Sequence, residues 1–213
     1  VLQENFTVKL LEMLRTGEID CAILAEPFPD TGLAVASLYD EPFFAAVPTS
    51  HALAGQDHVT TEELKSETML LLGNGHCFRD HVLEVCPEFA RFSSDAEGIR
   101  KSFEGSSLET IKHMVAAGMG VTLVPRLSVP KRALLAQAKA LAATSGKARR
   151  KPEDDGTDET FVHYLPIVDA KQAEPPSRRV VLAWRRSFTR YEAIAALRNA
   201  IYACELPGVK RLS

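Results

Sequence analysis

Hydrophobic residues fall at helical spacing at Phe6, Leu10, Met13 and Leu14 before Gly17 interrupts the pattern, which predicts an amphipathic helix closed by a glycine. Residues 1–3 ahead of it read as the tail of a strand. Residues 19–25 read as a buried strand, and residues 35–38 and 43–47 as two shorter ones separated by a turn at Asp40-Glu41-Pro42. Thr60 or Thr61 is placed to cap a short helix through Leu64. The apolar run 69–72 leads straight into Gly73-Asn74-Gly75 and a helix starting at Cys77. Strand, glycine loop and helix start together put Cys77 at the carboxyl end of a strand, where open α/β sheets bind ligands.

Further on, Ser106-Ser107-Leu108-Glu109 has the form of a capping box, and it opens a helix with apolar Leu108, Ile111, Val115 and Ala116 that stops at Gly118. Residues 121–124 form the next strand. An Ala-, Leu- and Lys-rich stretch over 131–143 has good helix propensity, whereas residues 144–160 carry so few apolar side chains that a mobile surface loop is expected. Strands at 161–165 and 180–184 and an amphipathic helix over 188–204 complete the chain. No internal repeat is visible. Strands alternating with helices predict an α/β architecture with a mostly parallel sheet, and the many short strands with a late terminal helix suggest two lobes.

Composition narrows the function classes. A formal charge of −3 over 213 residues leaves no basic surplus for a nucleic-acid surface. The chain begins at Val1 without a charged-then-apolar leader and has no apolar run near about 18 residues, so export and membrane insertion are not expected and a cytoplasmic location is. Four cysteines, at 21, 77, 86 and 204, are too few and too irregularly spaced for a secreted disulfide framework. Cys21 lies in the strand pattern 19–25, and both it and Cys204 read as inert.

The pair Cys77 and Cys86 is different. In a helix at about 1.5 Å per residue their α-carbons stand roughly 13 Å apart. A disulfide needs them within about 7 Å, so bridging them has to unwind the segment and reduction lets it re-form. On a helical wheel Phe78, Val82 and Val85 make an apolar stripe with Cys86 beside it, while Cys77 falls on the polar side with Asp80, His81 and Glu84. The helix start, with His76, Arg79 and His81 nearby, favours an anion at Cys77. Thiolates attack peroxides to give sulfenic acid, which a second thiol converts to a disulfide. The plainer alternative makes both cysteines small apolar fillers of a core. A third alternative is a metal site drawing on Cys77, His81, Cys86, His76 and His113, but these lack the usual zinc spacing, so no metal and no cofactor is expected.

At Leu14-Arg15-Thr16-Gly17-Glu18-Ile19-Asp20, Leu38-Tyr39-Asp40-Glu41-Pro42, Ser50-His51-Ala52-Leu53 and 114–125 the chain resembles the effector domain of LysR-type transcription regulators. Gly75-His76-Cys77-Phe78-Arg79-Asp80, with Cys86 nine residues on and Ser107-Leu108-Glu109-Thr110 after it, resembles the peroxide-sensing branch of that family. The resemblance implies two Rossmann-like lobes of periplasmic-binding-protein type II: lobe I from residues 1–40 and 185–213, lobe II from 41–184 with the redox cysteines. It also implies that a winged helix-turn-helix domain and the first strand and helix of lobe I precede this sequence, leaving lobe I incomplete here and an apolar face of it uncovered.

By the same resemblance Cys77 meets hydrogen peroxide and Cys86 resolves it as a redox-active disulfide. Thr7, His76, Arg79 and Arg179 then bind peroxide or stabilise the thiolate; without it Thr7 reads as a helix cap and Arg179 as a surface charge. Further implied are a homodimer or homotetramer, promoter DNA and RNA polymerase reached through the full-length protein, and thioredoxin- or glutaredoxin-type reductants, with no membrane partner and no enzymatic turnover. Between Cys86 and Phe103, and over 131–160, the chain is longer than the family pattern. Two rivals stand beside this reading: an effector domain binding a small organic metabolite in the interlobe cleft, and a thiol peroxidase.

Overall fold

The structure, a computed structural model, describes residues 2–29, 32–73, 76–87, 102–105, 107–134, 161–169 and 174–212. The expected loop at 144–160 and most of the predicted helix 131–143 lie outside these residues; residues 131–134 are helical. The described chain divides into two units, one of Val1–Pro42, Asn74–His81 and Ser177–Ser213, the other of Phe43–Gly73 and Val82–Pro176. Two segments expected in lobe II, Asn74–His81 and the strand Ser177–Trp184, thus fall in the first unit.

In the first unit, α1 (Thr7–Thr16) buries Leu11, Met13 and Leu14 and ends at Gly17, whose φ of 84° is the left-handed conformation that glycine adopts without penalty. Arg185 closes the same turn by donating to the carbonyls of Leu14 at 2.6 Å and Ile19 at 2.9 Å. Residues 2 and 3 carry no regular structure, so the strand expected at 1–3 is not found among the described residues. β1 (Cys21–Ala25) pairs antiparallel with β8 (Ser177–Trp184), which pairs antiparallel with the first part of β2 (Ala34–Pro48). One face of this sheet packs Leu24, Val181 and Ala183 against Leu11 and Leu14 of α1. The other packs Leu38, Val180 and Leu182 against Ile194 of α5 (Tyr191–Ala203), with Phe188 and Trp184 alongside. A short β9 (Lys210–Arg211) returns to pair with Tyr39 and Asp40.

β2 corrects the expectation of two strands and a turn. It runs unbroken for 15 residues, because Asp40 and Glu41 stay extended and pair with Arg179 and Arg178 of β8, while Pro42, which has no N–H to donate, stands opposite Ser177. A register shift between Ser37 and Tyr39 is the one irregularity in its ladder with β8.

The second unit continues from β2. Phe43 to Ala46 pair antiparallel with β6 (Thr122–Pro125), and Phe44 to Pro48 pair antiparallel with β7 (Val162–Val168). β3 (Val59–Thr60) joins β7 in parallel, and β4 (Met69–Leu72) pairs in parallel with β5 (Ser102–Gly105). Antiparallel ladders therefore outnumber parallel ones among the described residues, against the mostly parallel expectation: β2 is long enough to take four returning strands as partners. Ala45, Ala46, Leu123, Leu165 and Ile167 are buried where these strands meet.

Two helix starts in this unit differ instructively. Thr60 and Glu63 form a reciprocal capping box at α2 (Thr61–Leu64). At α4 (Leu108–Ala116) the cap is Ser107, which accepts from the Thr110 N–H at 3.1 Å, while Glu109 turns to Lys112 instead of closing the expected box.

Gly120, which precedes β6, has no room for a side chain, since a Cβ there would stand against the Thr68 carbonyl oxygen and 3.3 Å from the Leu70 side chain. Gly120→Ala is expected to lower unfolding stability by about 2–3 kcal/mol, read as a fall in the urea midpoint at unchanged slope.

Candidate functional site

The two cysteines are joined by one helix. β4 ends at Leu72, the Gly73 N–H donates to the Gly105 carbonyl at 3.0 Å, and α3 begins at Cys77 and runs to Val85. Its ladder reaches past both ends: Arg79 N–H donates to His76 at 3.0 Å and Cys86 N–H to Val82 at 2.9 Å. Cys77, half-buried, stands at the first position, and Cys86, fully buried, immediately follows the last; neither is in a disulfide. At about 1.5 Å per residue the intact coil holds their α-carbons roughly 13 Å apart, well beyond the reach of a disulfide.

The face that α3 buries is wider than the apolar stripe alone. Phe78, Val82 and Cys86 are buried, Val85 is half-buried, and Asp80 and Glu84 are exposed. Arg79 and His81, read from the wheel as polar-side residues, are buried too. For His81 the cause is specific: Nε2–H donates to the Glu26 carbonyl at 2.8 Å, and the ring meets the edge of Phe78 at 6.4 Å. A partner for the N–H offsets part of the cost of burying an imidazole.

Around the start of α3 the first unit assembles three further groups. The His76 ring packs edge-on against Phe6, with centroids 4.8 Å apart and the ring planes at 69°. Phe6 is the N-cap residue of α1 and Thr7 its first helical residue, so Thr7 does not cap the helix but opens it next to the His76 contact. The guanidinium of Arg178 lies over the Phe78 ring at 5.5 Å and donates through Nε and Nη2, at 2.9 and 2.8 Å, to Oε2 of Glu41. That carboxylate is 1 % exposed.

Arg179 is placed elsewhere. Its Nε and Nη2 donate to the two carboxylate oxygens of Asp40 at 2.9 and 3.1 Å on an exposed part of the strand, and these bonds raise its already high pKa. Successive residues of a strand point to opposite faces, so only one of this arginine pair meets α3, and that one is Arg178. The sequence signal for it, an arginine doublet opening an apolar strand, does not say which member faces inward. His113 lies exposed on α4. Among the described residues no group of three or more His, Cys, Asp and Glu gathers as a metal site would require, and no helix is long and apolar enough to cross a membrane.

A helix-separated thiol pair on an α/β scaffold defines the class, and residues 1–141 match the LysR substrate binding domain: the chain belongs to that family. It is 39% identical over 197 residues to the hydrogen peroxide-inducible genes activator of Pectobacterium carotovorum subsp. carotovorum, covering 91% of this chain and 54% of that protein. Over 129 residues it is also 39% identical to the DNA-binding transcriptional dual regulator OxyR of Escherichia coli K12, covering 61% of this chain and 40% of that one. Among solved structures, a reduced form of OxyR from N. meningitidis superposes with a TM-score of 0.76 at 36% identity, covering all of this chain and 85% of that one. The chain spans about half the length of the first of these curated relatives.

Burial orders the thiols by access. Under native conditions an alkylating reagent should modify exposed Cys204 first and half-buried Cys77 next, with Cys86 slower than Cys77 by at least about tenfold. Burial also raises the pKa of Cys21, which slows that thiol. Peptide mass mapping over time checks the order, and all four rates should converge in denaturant.

Proposed function

We propose that this chain is the hydrogen-peroxide-sensing regulatory domain of a LysR-type transcription regulator of the OxyR kind, acting as a stoichiometric switch. The observation that carries the reading is the unbroken helix between a half-buried Cys77 and a fully buried Cys86. Peroxide oxidises the Cys77 sulfur to sulfenic acid with release of one water. Attack by the Cys86 thiol then forms the S–S bond and releases a second water, so two thiols lose two electrons and one peroxide is reduced.

The second step cannot occur on the folded helix, because the sulfurs are too far apart. Segment 77–86 therefore has to unwind, and the new conformation is the signal. In this reading Thr7 and His76 receive the oxidant, a role supported by the packing of His76 on Phe6, the residue before Thr7. Arg79 supplies a cationic side chain on α3, while Arg178 is paired with Glu41 over Phe78 and Arg179 is held to Asp40. In this reading the altered conformation changes packing in a homodimer or homotetramer. Promoter DNA and RNA polymerase are engaged by the full-length protein, and thioredoxin- or glutaredoxin-type reductants in the cytoplasm restore the dithiol.

Peroxide treatment of the full-length protein should give a Cys77–Cys86 cross-linked peptide, absent in Cys77→Ser and Cys86→Ser, together with faster amide exchange over 77–86. The proposal would be falsified if the oxidised protein contains no such bridge. A wild-type response that persists in Cys77→Ser points instead to a metabolite-binding effector domain.

A further inference from the structure

Resting on the sensor reading above, we infer that the stack Glu41–Arg178–Phe78 is a redox-tuning anchor: it holds α3 in its helical form and thereby sets how readily the Cys77–Cys86 bridge forms. Phe78 and His81 are one helical turn apart, so they share a face only while the helix is intact. Both engage the first unit from that face. Phe78 lies under the Arg178 guanidinium at 5.5 Å, and His81 donates to the Glu26 carbonyl at 2.8 Å. Each contact is itself tied to the sheet. Arg178 is locked by two hydrogen bonds to the buried Glu41, and the Glu26 N–H donates to the Arg179 carbonyl at 2.9 Å.

Both residues lie inside the segment that a Cys77–Cys86 bond would close. Bridging destroys the helical register that points them to the same side, so the two contacts cannot both survive oxidation. Contacts made only by the dithiol form stabilise that form. The sign follows directly: strengthening the stack favours the dithiol, and weakening it favours the disulfide.

The test is an equilibrium titration of the full-length protein in glutathione buffers, with free thiols trapped and mapped by mass. In this exchange one protein disulfide and two glutathione thiols interconvert with the protein dithiol and one glutathione disulfide. Phe78→Leu keeps an apolar filler but removes the aromatic face. It should shift the equilibrium constant about tenfold toward the bridged form. For two electrons that is a potential about 30 mV more negative. Glu41→Gln, which loosens the hold on Arg178 while keeping the side chain's shape, should shift it in the same direction and serves if Phe78→Leu does not fold.

Leu24→Ala is the control, since it weakens the α1-facing core of the first unit, to which Glu41, Arg178 and Phe78 do not belong, and should leave the potential unchanged. An unmoved potential in Phe78→Leu and Glu41→Gln overturns the inference, as does a Leu24→Ala shift of equal size. Absence of any bridge in the wild type overturns the sensor reading and this inference together, whereas a bridge with unmoved potentials overturns this inference alone.

Discussion

One constraint governs the chemistry of this chain: a helical backbone ladder, opened by the Arg79 N–H to His76 bond and closed by the Cys86 N–H to Val82 bond, fixes the separation of two thiols. A helix of nine residues is marginal by itself in water, so its persistence here depends on what it packs against. Phe78 and Val82 supply that packing from within the helix and Cys86 from just beyond its end, and His81 adds a hydrogen bond. A segment stable only through tertiary contacts is one that a single covalent bond can overturn. A longer helix with strong intrinsic propensity would resist oxidation; a loop would report nothing when it closed.

The two ends of that helix belong to different units, Cys77 with the first and Cys86 with the second. β2 shares this property, running from Ala34 in the first to Pro48 in the second. Its continuity across Asp40 and Glu41 depends on two arginines far along the chain, which satisfy carboxylates that would otherwise draw the backbone out toward water. The same Glu41 fixes the guanidinium that covers Phe78, so one buried carboxylate contributes both to the long strand and to the seating of α3.

What was legible from the sequence and what was not follows from range. Local patterns placed α1 and its closing Gly17, the strand 69–72 and the helix start at Cys77, because periodicity and glycine act within a few residues. The same patterns split β2 at Asp40-Glu41-Pro42, a tripeptide that reads as a turn until its partners, 137 and 139 residues away in sequence, are known. They put His81 on the polar side of α3, since its acceptor is a carbonyl 55 residues earlier. They also left the arginine doublet unresolved: Arg178 and Arg179 are chemically identical, and strand alternation chooses between them only once the register with β2 is fixed.

The choice of Arg178 has a physical consequence. A guanidinium bound through two nitrogens to one carboxylate is nearly neutral as a pair, so its long-range field on neighbouring groups is small. What it retains is shape, a rigid planar surface that pairs edgewise with Glu41 and presents a face to the Phe78 ring. A lysine at this position would offer a point charge but no such plane. Buried ion pairs add little to stability when weighed against the cost of desolvating both partners, and they are best suited to fixing one arrangement among several. Here the arrangement fixed is the helical one. The pair therefore acts on the thiols mechanically, by making the folded form of α3 the one with the better-made contacts, and a covalent signal has to work against that preference.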